Sequence, residues 1–106
     1  ERMAAGAGRV VVIDTARSLA ADVNGKTITI QGTRQDLPDE GNLNCITTDG
    51  SGTFWTGSDG GTTNDDGGDI CTSTDNGLSW SKIVEGINKS GDRKVEGITT
   101  NVPLPV

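Results

Sequence analysis

The tetrapeptide Ile46-Thr47-Thr48-Asp49 returns as Ile98-Thr99-Thr100-Asn101, an offset of 98 − 46 = 52 residues. Self-similarity with a period of about 50 residues marks a repeat architecture, in which each unit buries its apolar face against a neighbour. The same offset, without a gap, lays Asn24-Gly25 on Asn76-Gly77, Asp14 on Asp66 and Leu43 on Val95. It also lays Thr27-Ile28-Thr29-Ile30 on Ser79-Trp80-Ser81-Lys82. The 106 residues are 2 × 52 + 2, so the chain reads as about two copies of one unit, the first eroded at its N-terminal end.

Within each unit the pattern is that of short strands. Arg9-Val10-Val11-Val12-Ile13-Asp14 is a β-branched run and predicts a buried strand. Residues 15–22 are open to two readings, because Ile13, Ala16, Leu19, Ala20 and Val23 sit at helical spacing. A helix over residues 9–23 is the rival. The match of Asn24-Gly25 to Asn76-Gly77 favours extended chain instead, since it makes the preceding residues the counterpart of a third strand. Residues 1–8 are small and Gly/Ala-rich and read as a loose boundary. Thr27-Ile28-Thr29-Ile30 alternates as a strand does, and residues 34–42, with Leu37-Pro38-Asp39-Glu40-Gly41, read as a loop. In the second unit, strands are predicted over 44–48, 53–57, 69–73 and 79–84. Turns fall at Asp49-Gly50-Ser51-Gly52 and Asp75-Asn76-Gly77, and a long loop covers residues 58–68. Four short strands per unit of roughly 50 residues is the pattern of one blade of a β-propeller.

Composition narrows the function classes. The net charge is −6, and the nine Lys and Arg are scattered. Nucleic-acid binding needs clustered cations to displace counterions, so no nucleic-acid partner is expected. No run of 18 apolar residues occurs, which predicts no membrane span. There is no His, which removes Ser-His-Asp and Cys-His catalysis and every His-containing metal site. The hydrophobic fraction is 31% with three aromatic residues, Phe54, Trp55 and Trp80, so a lone core would be thin. Cys45 and Cys71 fall on the first and third strands of the second unit. Strands one and three of a sheet lie roughly 9–10 Å apart, too far for a disulfide, so two buried thiols are expected.

The segment Ser73-Thr74-Asp75-Asn76-Gly77-Leu78-Ser79-Trp80 has the form S-x-D-x-G-x-[ST]-W. It resembles the Asp-box, the repeated hairpin of sialidases, sortilin-type receptors, photosystem-assembly propellers and some glycoside hydrolases. Asp49-Gly50-Ser51-Gly52-Thr53-Phe54-Trp55 upstream resembles the first hairpin of such blades. The resemblance covers residues 43–101 well and 9–42 weakly; in the first unit Ala21, Val23 and Ile28 take the Ser, Asp and Trp positions. It implies an all-β fold, part of a β-propeller of about two four-stranded antiparallel blades on a 52-residue period. Residues 1–42 would be a degenerate, incomplete first blade, 43–94 the Asp-box blade, and 95–106 the start of the next. Propellers have roughly 4–8 blades. The ring would then be completed by the remainder of a longer propeller chain or by identical protomers.

The chemistry of the box is structural. Asp75 is placed to accept backbone N–H groups of its own turn, Gly77 to supply a positive φ, Ser73 to tie the turn to a neighbouring strand, and Trp80 to be buried in the blade core. Sialidases of this family resemblance use a Tyr nucleophile, an acid/base Asp and an arginine cluster. This chain has no Tyr, and Arg2, Arg9, Arg17, Arg34 and Arg93 are dispersed. Glycoside hydrolysis needs two carboxylates at a set separation, and no spacing here selects a pair, so no catalytic residue is assigned. Asp59, Asp65, Asp66 and Asp69 lie among glycines and could hold Ca²⁺, although their spacing is not that of an EF-hand. Phe54 and Trp55 raise sugar stacking, but alternation puts one of them in the core. The expected function is a non-enzymatic propeller scaffold or interaction module of an extracellular, cell-surface or virion protein. A piece of a carbohydrate-active propeller, a glycoside hydrolase or oligomeric lectin with a glycan partner, is the alternative. A minor pilin or pseudopilin domain, with a helix over 9–23 and a Cys45–Cys71 bridge, is the third.

Overall fold

The computed structural model describes residues 2–38, 42–59, 68–87 and 97–99. It is all-β, with eight strands: β1 (Arg2–Gly6), β2 (Arg9–Asp14), β3 (Arg17–Asn24), β4 (Thr27–Asp36), β5 (Leu43–Thr48), β6 (Phe54–Ser58), β7 (Gly68–Ser73) and β8 (Ser81–Ile87). They form two four-stranded antiparallel sheets, β1-β2-β3-β4 and β5-β6-β7-β8, each a plain meander. No helix occurs among the described residues, and none is long and apolar enough to cross a membrane.

Residues 9–23 are a hairpin, not a helix. Their apolar residues recur at helical spacing, but Val11 and Ile13 of β2 face the core with Ala20 of β3, a period of two within each strand. The chain reverses at Thr15, which holds φ at +55°, a left-handed value unusual for a β-branched residue. The carbonyls freed by this turn are used. Leu37 N–H donates to Ala16 O at 2.9 Å and Leu43 N–H donates to Thr15 O, which clips the link between the sheets onto the first one. Residues 2–6, loose by composition, are paired along their whole length with β2. Their connection, Ala7-Gly8, has two positive φ values, 52° and 79°, the twist that suits a two-residue hairpin. Thr27-Ile28-Thr29-Ile30 extends to ten residues as β4, taking in residues 34–36 that read as loop. The first unit therefore supplies four paired strands within residues 2–36.

One face of each sheet meets the other. Val11, Ala20 and Phe54 form one buried cluster; Ile13, Leu37, Leu43 and Cys71 form a second. Ile46 and Trp80 pack against both. β1 runs beside β5. There the backbones approach so closely that a Cβ on Gly6 would lie 2.6 Å from Gly50 Cα.

The sheets match in strand order but not at a constant offset. Corresponding strands start 41, 45, 51 and 54 residues apart (2 to 43, 9 to 54, 17 to 68, 27 to 81). Between the two sheets, the 52-residue offset lies between those of the third and fourth strands, while the first and second strands depart from it by 11 and 7 residues. The connections account for the drift: residues 7–8, 15–16 and 25–26 in the first sheet against 49–53, 59–67 and 74–80 in the second. Cys45 on β5 and Cys71 on β7 are thiols with β6 between them, as the strand spacing requires.

Candidate functional site

The segment Ser73–Trp80 forms the β7–β8 connection, and its side chains build the turn. Ser73 closes β7, buried, and its hydroxyl donates to Asp75 Oδ1 at 2.7 Å while accepting Gly77 N–H at 2.9 Å. Asp75 accepts the Ser79 N–H on Oδ1 at 2.9 Å and the Ser79 hydroxyl on Oδ2. Asn76 and Gly77 both take positive φ, 66° and 85°. Burial acts to raise the Asp75 carboxyl, but the hydrogen bonds from Ser79, Ser73 and the backbone outweigh it and hold the group below its ordinary value. Ser73 therefore ties the turn to itself, not to a neighbouring strand. It is a relay, binding Asp75 on one side and Gly77 on the other.

The link to the neighbouring sheet is made by other groups. Arg9, at 9% exposure, ion-pairs with Asp22 at 2.8 Å and donates to Asn76 O at 3.0 Å. Gln31 fills the other oxygen of Asp22 at 2.9 Å. Asn76 N–H donates to Gly52 O in the β5–β6 connection at 2.9 Å. Gly77 lies so close over Val11 that a Cβ there would run into its methyl group. The Trp80 indole N–H donates to Ser18 Oγ at 2.8 Å. Trp80 is half-buried, and its place is the seam between the sheets, where it packs on both core clusters. A Trp in such a seam buries its ring and still finds a partner for its N–H.

The four loop carboxylates fare differently. Asp65 and Asp66 lie outside the described residues. Asp59 exchanges hydrogen bonds with Asn42: Asn42 N–H donates to Asp59 Oδ1 at 2.8 Å and Asp59 N–H to Asn42 O at 3.0 Å. Asp69 is 2% exposed and lies 3.5 Å from Lys82 Nζ. No cluster of three or more Asp, Glu, Cys or His occurs among the described residues. Phe54 is core, while its neighbour Trp55 is on the opposite face and half-buried. Arg17 and Arg34, distant in sequence, both line a shallow cavity of about 190 Å³ with Asp14 and Leu19, although Arg17 is paired with Asp36 at 2.9 Å. Sequence reasoning missed Arg9 and Ser18, the two residues of the first sheet that hold the box. Arg9 opens a β-branched run and Ser18 stands between Arg17 and Leu19, and nothing local marks either as a partner of a turn 60 or more residues away. The thiol of Cys45 is pushed up by burial, opposed by a Gly57 backbone hydrogen bond and the Arg2 charge.

Searches for similarity give no matching family model, no matching curated protein and no matching solved structure.

Proposed function

We propose that this chain is a non-enzymatic scaffold or interaction module built from Asp-box β-propeller blades, acting outside the cell, on a cell surface or on a virion. The observation that carries the reading is the use of Asp75. Both carboxylate oxygens are engaged by Ser73 and Ser79, and the Trp80 of the same motif docks on the adjoining sheet. A carboxylate so engaged positions chain and is not poised to move protons. The acidic, His-free, Gly-rich composition suits an exposed surface and disfavours nucleic acid. The ring is completed by the remainder of a longer propeller chain or by identical protomers. The pilin reading needs a helix over residues 9–23, where a hairpin stands, and is not carried forward.

A carbohydrate-binding reading keeps one supporting observation: Trp55, half-buried, leaves part of its ring on an open sheet face. A glycan array and a polysaccharide hydrolysis panel separate the two. The scaffold reading predicts no retained glycan and no released reducing sugar. Glycan binding abolished by Trp55→Ala would replace it with the lectin reading.

A further inference from the structure

The first sheet has a second face, apolar over its middle and closed at one end by the charged row Asp14–Arg17–Asp36. Strand pairing sets Met3, Val12 and Leu19 in one row across that face, and Ala5, Val10, Ala21 and Ile30 in the next. Ile28 stands beyond them, opposite Val23. None of these side chains is charged, and Met3, Ile28 and Ile30 are 66, 67 and 55% exposed. A monomeric protein rarely leaves so continuous an apolar face to water.

Register says what such a face meets. In the second sheet the rows Ile46–Thr56–Cys71 and Thr48–Phe54–Ser73 occupy the same positions in the meander as Met3–Val12–Leu19 and Ala5–Val10–Ala21. In the sequence, Ile28 follows Ala21 by seven residues as Trp80 follows Ser73. The uncovered face of the first sheet is thus the counterpart of the face that the second sheet buries. That buried face meets the row Ala4–Val11–Ala20 of the first sheet. The counterpart of this row in the second sheet is Thr47–Trp55–Thr72, which lies on its own outward face.

We propose that the outward face of the first sheet seats the outward face of the second sheet of another copy of this chain, head to tail. The occupant is argued from equivalence: this contact repeats between copies the sheet-on-sheet contact already made within one. Both surfaces are uncharged along the rows named, so two acidic chains can meet there without burying like charges. A head-to-tail contact closes into a ring when its rotation divides the circle; with two sheets per copy, rings of 4–8 sheets take about two to four copies. The inference rests on the scaffold reading only for its purpose. A chain that assembles this way and also cleaves glycans would overturn that reading and leave this one standing.

The test is sedimentation velocity on the whole chain with two variants. Ile30→Arg charges the first sheet's outward face and Trp55→Arg the second's, with circular dichroism verifying the fold. Because Trp55 is half-buried, Val84→Arg, on the same face and 36% exposed, serves if Trp55→Arg unfolds. The parent chain should sediment above monomer mass and rise with concentration. Each variant alone lacks a needed surface at every contact and should lose growth beyond the monomer. An equimolar mixture retains one intact contact and should form a heterodimer and stop there. A parent chain that stays monomeric at its highest soluble concentration overturns the proposal. So does a Trp55→Arg or Val84→Arg variant that still dimerises while Ile30→Arg does not, because that pattern means two first-sheet faces pair symmetrically.

Discussion

The hairpins β3–β4 and β7–β8 occupy the same place in their sheets, yet they are held in different ways. The first reverses through residues 25–26, with Gly25 at φ +60° and no atom within 4 Å of where its Cβ would be. Backbone permissiveness and strand register suffice. The second takes residues 74–80 to reverse and fills that length with Ser73, Asp75 and Ser79 hydrogen bonds, ending on Trp80 against Ser18. The β5–β6 connection follows the same rule: Asp49 Oδ1 accepts the Ser51 and Thr53 N–H groups at 2.8 and 3.3 Å. A short turn leaves few orphan groups, and those of residues 15–16 are met by backbone donors, whereas the longer ones supply side chains for theirs. The added length also reaches the other sheet, so the long turn joins two layers and the short one joins only two strands.

Substitutions can break this contrast. The largest effect should come from Trp80→Ala, which removes the larger of the two side chains packed on both clusters; about 3 kcal/mol of stability should be lost in urea unfolding. Ile28→Ala, at the exposed position 52 residues earlier in the sequence, should change the same measurement by under about 0.5 kcal/mol. The paired glycines come next. Gly77→Ala combines φ +85° with a collision against Val11 and should cost roughly 2–3 kcal/mol. Gly25→Ala meets the φ penalty in open space and should cost about 1 kcal/mol. Equal losses at the two glycines would mean that the β7–β8 turn does not rest on β2.

A smaller effect is expected at Asp75. Asp75→Asn keeps the shape of the side chain and removes its charge, and should lower stability at neutral pH by about 1 kcal/mol, since water reaches the donors it leaves. The sign of the pH dependence follows from the lowered folded-state carboxyl. Its contribution is complete above the ordinary value of 3.8 and fades as pH falls through the lower folded value. The parent chain should therefore lose its margin over Asp75→Asn as pH drops below 3.8, and the two unfolding curves should converge in acid.

Those pairs also separate what a linear reading can reach from what it cannot. The turn at residues 74–80 is legible because its determinants are local: Ser73, Asp75, Gly77 and Ser79 lie within one turn and bond one another. The all-β class followed from β-branched runs and turn residues. The first unit was harder to read because its strands carry apolar residues on both faces, Val10 and Val12 as well as Val11 and Ile13. A continuous apolar run does not distinguish strand from helix. The seam was not legible at all. Trp80 was assigned to the core of its own blade, yet its N–H goes to Ser18 and its ring to both sheets. Long-range pairs such as Arg9 with Asn76 have no signature in spacing.

The account turns on the Trp80 contact, and nuclear Overhauser spectroscopy of the ¹⁵N-labelled chain tests it directly. The Trp80 indole proton should show cross-peaks to Ser18 and exchange slowly with solvent, and its ring protons should show cross-peaks to the packed core around Val11 and Ala20. An indole proton that exchanges at the solvent rate, with cross-peaks confined to residues of its own hairpin, would contradict the claim that the β7–β8 connection joins the two sheets.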